Sequence, residues 1–173
     1  PEGQEILDGV VLFVRVAVEG EDVAFRDRRG RCRGHGRSGG QDPHLACKLV
    51  TKNEEWKVGA NGLGFAKDGT MYVCNFGDAQ LIAVTLNDQG KAVSQKVIAE
   101  GGPMKSTDGL KVCPKTGLVY IADFLGNAVH CVCPKSGKVK VIAQNGLTDG
   151  KNGELDKCSE VGLRGSRIYV SNI

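Results

Sequence analysis

From residue 57 onward, short apolar runs alternate with polar turns. Asp108 to Cys113 is one such run, and Pro114 to Gly117 supplies a turn. Leu118 to Asp123 is rich in β-branched and aromatic residues. After a second turn at Leu125 to Asn127, the stretch Ala128 to Cys133 alternates apolar and polar residues. Pro134 to Gly137 then leads into Lys138 to Ala143, which alternates charge with apolar side chains as an edge strand does. An earlier stretch follows the same grammar, with strands predicted at Leu63–Ala66, Met71–Asn75, Gln80–Leu86 and Ala92–Ala99. A third copy begins at Ser159 and runs to Asn172. The tyrosines Tyr72, Tyr120 and Tyr169 mark equivalent places, 48 and 49 residues apart. No stretch repeats at the helical period of about 3.6 residues. Four strands per unit, repeated at this spacing, predict an all-β chain built as a β-propeller of four-stranded blades.

Length then bounds how much of a ring is present. A six-bladed ring of roughly 45-residue blades needs about 270 residues, whereas this chain has 173. About three to four blades are expected, as a fragment of such a ring or a truncated form. Residues 51–173 read as blades. Residues 1–50 read as a divergent segment, with a strand expected over Val10–Val18. Arg26 to Gly40 interleaves six arginines with glycines and too few apolar residues to fold alone. Cys32, His35, His44 and Cys47 form two close pairs that could close a zinc site on a nucleic-acid-binding knuckle. The eight-residue spacer and sparse apolar surroundings favour chance pairing. A net charge of +3 does not call for a polyanionic partner. No apolar run nears the roughly 18 residues of a membrane span. Seven cysteines, an odd number spread over strands and loops, read as reduced thiols in a cytoplasmic setting.

Candidate chemistry follows from the repeat. In a propeller the first strand of each blade lines the central channel, so equivalent residues converge although they lie nearly 50 positions apart. Those places hold Asn61, Asp108 and, in the third copy, Ser159 or Glu160. Carboxylate and amide oxygens meeting at one point suit a hard divalent cation. Asn-Gly and Asp-Gly are also hairpin signals, so Asn61 and Asp108 read equally as turn residues. Against that, both pairs immediately precede the inner strand and follow a long loop.

The pattern from Asn61-Gly62-Leu63 through Tyr72-Val73, then Asp108-Gly109-Leu110 with Val119 to Asp123, resembles the gluconolactonase/regucalcin-like (senescence-marker-protein) family of six-bladed propellers. The likeness covers about residues 57–173. It implies a divalent metal (calcium, manganese, magnesium or zinc) at the channel mouth and hydrolysis of a small-molecule lactone. On this resemblance Asn61 is an amide ligand, and Asp108 is a carboxylate ligand and general base. Glu2, in Pro1-Glu2-Gly3, is the one candidate for the family's first-blade glutamate, but it lies 59 residues before Asn61, too few for the intervening blades. Leu118 to Asp123 through Val129 also resembles NHL repeats, which makes a non-catalytic binding scaffold the alternative. Cys113, Cys131 and Cys133 are expected as small buried hydrophobes, His130 as solvent-facing, and Trp56 as a packing anchor.

Overall fold

The structure is a computed structural model that describes residues 15–17 and 45–173. Among these residues every regular element is a strand. A short parallel pair, β1 (Arg15–Ala17) and β2 (Leu45–Lys48), comes first. Next is a four-stranded antiparallel meander of β3 (Ala60–Phe65), β4 (Met71–Asn75), β5 (Gln80–Leu86) and β6 (Ala92–Glu100). A second follows with β7 (Leu110–Val112), β8 (Val119–Asp123), β9 (Ala128–Val132) and β10 (Val139–Gln144). The pair β11 (Cys158–Arg164) and β12 (Arg167–Asn172) opens a third sheet. Each unit predicted from the repeat is present, and the strand ends shift by three residues at most. The strand expected over Val10–Val18 falls on described residues only at β1.

The sheets stack face to face. Between the first and second lies a core of Tyr72, Cys74, Leu81, Met104, Leu110, Val119, Ile121 and Val132. The other face of the first sheet packs Met71, Val73, Ile82 and Val84 against Cys47 of β2 and Leu49 just after it. The second sheet's far face packs Ala122 and Val129 on Cys158 and Val161 of the third. Each fully buried valine, leucine or isoleucine contributes about 1.5–3 kcal/mol, so neighbouring sheets depend on one another. Middle strands are covered on both faces, and every residue of β4 and β9 is buried. Outer strands are not, and β10 is exposed over five of its six positions.

Covering both faces overturns one expectation. His130 lies on β9 and is completely buried, not solvent-facing. An alternating sequence reports one wet face only when that face lacks a neighbour. Two cysteines also differ from expectation. Cys131 is buried, but Cys113 and Cys133 sit part-exposed at strand ends, each opening a Cys-Pro-Lys-(Thr/Ser)-Gly turn closed by a glycine at positive φ, Gly117 and Gly137. Hydroxyl groups of Thr116 and Ser136, then backbone amides and the adjacent lysines, hold these two thiols below their ordinary range. Trp56 meets the expectation of a packing residue, with its ring 6.0 Å from Phe76 and 6.5 Å from Phe124.

Candidate functional site at the inner-strand mouth

The first strands of successive sheets run side by side and are joined where they begin. The Gly62 amide donates to the Asp108 carbonyl at 3.1 Å, and the Gly109 amide to the Ser159 carbonyl at 2.9 Å. Approach this close excludes a side chain. A Cβ on Gly62 would stand 2.4 Å from the Asp108 carbonyl oxygen, and one on Gly109 2.5 Å from that of Ser159. Neither polar-glycine pair is therefore a hairpin turn. Asn61 is the second residue of β3, and Asp108 precedes β7 with its amide donating to the Ala122 carbonyl at 2.9 Å. In both pairs the glycine lets the inner strands touch, and the preceding residue stands at the mouth.

Asn61 and Asp108 are brought together, with the Asn61 amide near enough to favour the charged form of the Asp108 carboxyl. Asn61 is exposed and Asp108 half-buried. Of the two residues offered by the third copy, Ser159 turns into its own sheet, 2.9 Å from the Ser171 hydroxyl. Glu160 instead takes the place that Gly62 and Gly109 hold in the earlier copies. Its Oε1 accepts from the Val161 amide at 2.9 Å and overhangs Gly109. Burial, and then the charge of Glu160, push the Asp108 carboxyl up to about 6, while the Asn61 hydrogen bond opposes them. Two carboxylates and an amide thus lie near one another where the inner strands begin. No group of three His, Cys, Asp or Glu side chains is arranged for a metal among the described residues, so Asn61 is needed to complete a set of three. This donor set fits a hard cation, because positive charge would relieve the repulsion that raises Asp108.

Directly beneath, Cys74 is fully buried, and its thiol is pushed far up, chiefly by burial. It is part of the core and not a nucleophile. Cys47 is likewise packed in an apolar cluster, while Cys32, His35, His44 and Glu2 lie outside the described residues. Sequence reading missed the buried partners of the segment leading into Asp108, namely Asp123 and His130. An aspartate closing β8 where the first copy has Asn75 was the available signal.

Among solved structures, the luciferin-regenerating enzyme matches 66% of this chain with a TM-score of 0.51 at 18% identity. The fold is that of a β-propeller, in part. A candidate gluconolactonase matches 65% of the chain at 27% identity, with a TM-score of 0.47. This chain spans only 37% and 35% of those two chains respectively. No protein-family model matches the sequence, and no curated protein does.

Proposed function

We propose that this chain carries the cation-binding mouth of a divalent-metal-dependent hydrolase of small lactones, of gluconolactonase type. The observation that supports this reading is the lateral joining of inner strands, which brings Asn61, Asp108 and Glu160 near one another. Asp108, Glu160 and the Asn61 amide oxygen would hold the cation. When bound, it supplies a Lewis acid for the lactone carbonyl. The Asp108 carboxylate is the group placed to take a proton from the attacking water. Without cation it titrates near 6, so it is largely ionised at neutral pH. Asn61, close to Asp108, favours its charged form.

The test is hydrolysis of glucono-lactone by the purified chain, followed in a pH-stat with CaCl2 or MnCl2 and after chelation. The expected rate depends on the cation and falls roughly 100-fold or more in Asp108→Asn. Cation binding without hydrolysis of any sugar lactone would sink the enzymatic reading and leave an NHL-like binding scaffold.

A further inference from the structure

A buried acid and a buried histidine hold the segment that delivers Asp108. Asp123 closes β8 and is completely buried. Its Oδ1 accepts from the Ser106 amide at 2.9 Å, the Ser106 hydroxyl at 2.9 Å and the Gly126 amide at 2.8 Å. Its Oδ2 accepts from the Lys105 amide at 2.8 Å and meets His130 Nε2 at 2.9 Å. His130 Nδ1 is buried with no partner, which assigns the ring proton to Nε2 and makes His130 a donor to Asp123. Thr107, which follows Ser106, holds its hydroxyl between the carbonyls of Asn75 at 3.0 Å and Gln80 at 2.9 Å, with its one proton available to either. Residues 105–108 are thus tied down one after another, and Asp108 is the last of them.

The first copy lacks this pair, and the third has no acid at the place of Asp123. Asn75 closes β4 and Asn172 closes β12, both neutral amides. The place of His130, opposite Ile121, is held in the first sheet by Ile82, opposite Val73. The acid and histidine occur in the sheet whose inner strand begins with an aspartate. A carboxylate has two acceptor oxygens for these five donors, whereas an amide would turn N–H groups toward some of them. That arrangement suits a loop that must hold Asp108 half-buried and close to Glu160, against their mutual repulsion.

We propose that Asp123 and His130 are positioning residues that fix Asp108 at the mouth and thereby set its affinity for a divalent cation. This rests on the cation-site reading given above. Calorimetric titration with CaCl2 and MnCl2 would compare the unaltered chain with His130→Phe, His130→Gln and Val132→Ala. Val132 is on the same strand and equally buried but does not touch Asp123, so it controls for lost packing. Affinity should fall about tenfold or more in His130→Phe, return in His130→Gln through its amide donor, and stay near the original in Val132→Ala. Unchanged affinity in His130→Phe, or an equal loss in Val132→Ala, would overturn the proposal. If the unaltered chain binds neither cation, the functional reading fails by itself, and amide hydrogen exchange at Lys105 and Ser106 then decides the positioning claim. Protection lost only in His130→Phe supports it; protection retained there overturns it.

Discussion

At the scale of single residues, Asp108 and Asp123 are opposite cases of one acid in two environments. Burial and Glu160 raise Asp108 to about 6 from 3.8. A carboxyl raised in the folded state contributes stability that is complete below 3.8 and is lost as pH rises through 6. Asp108→Asn should therefore stabilise the cation-free protein at pH 7 by on the order of 1 kcal/mol, a figure reduced for solvent screening at a part-exposed site. Thermal unfolding with and without MnCl2 checks this. The variant should melt higher without cation and gain nothing from it, whereas a lower melting temperature would contradict the assignment. Asp123 is buried too, and desolvation raises it. Hydrogen bonds, led by the one from His130, outweigh that and hold it below its ordinary value. Its contribution is present above the unfolded value and lost as pH falls through the folded one. These two roles were unequally legible. Asp108 announced itself by its place before a repeated strand. His130 did not, because an alternating strand shows which residues share a face but not whether that face is covered.

At the scale of elements, the four-strand unit was almost wholly legible. The turn residues and apolar runs that define it are local, and antiparallel meanders need only neighbours in sequence to form. What the chain does not spell out is how inner strands meet, since those contacts join residues about 50 positions apart. Gly62 and Gly109 read as turn formers, and only the contact between sheets showed that they are spacers. Gly62→Ala should cost about 1–3 kcal/mol as an overpacking change, because its Cβ would meet backbone at 2.4 Å and not a yielding side chain. Gly162→Ala, whose Cβ would meet Tyr169 at 3.8 Å, should be within about 0.5 kcal/mol of the original. Denaturant midpoints of the two variants make the comparison. Equal effects would mean that the inner strands are not in close contact.

At the scale of the whole molecule, stability lies between sheets more than within them. Leu110 on β7 belongs to the second sheet but is buried against Tyr72, Cys74 and Leu81 of the first. Leu110→Ala is expected to cost about 2–5 kcal/mol. The single tryptophan, Trp56, stands beside Phe76 and Phe124, which directly follow β4 and β8 of the first two sheets, so its fluorescence reports on their docking. Trp56 fluorescence and far-ultraviolet circular dichroism should shift to lower denaturant together in the variant. Separated transitions would show that the sheets unfold independently. The repeat count, and with it the partial ring, was readable from three tyrosines. The involvement of Cys47 and Leu49 in the first sheet's core was not, because those residues carry no mark of the repeat.

The joined inner strands divide labour within each two-residue pair. In Asn61-Gly62 and Asp108-Gly109 the second residue sets where the strands meet, and the first decides what is offered to the channel. A change at the first leaves that contact in place, whereas a side chain at Gly62 or Gly109 meets the neighbouring strand. Joined in this way, the strands form a row of fixed sockets with exchangeable heads, variable one residue at a time while the architecture stays in place.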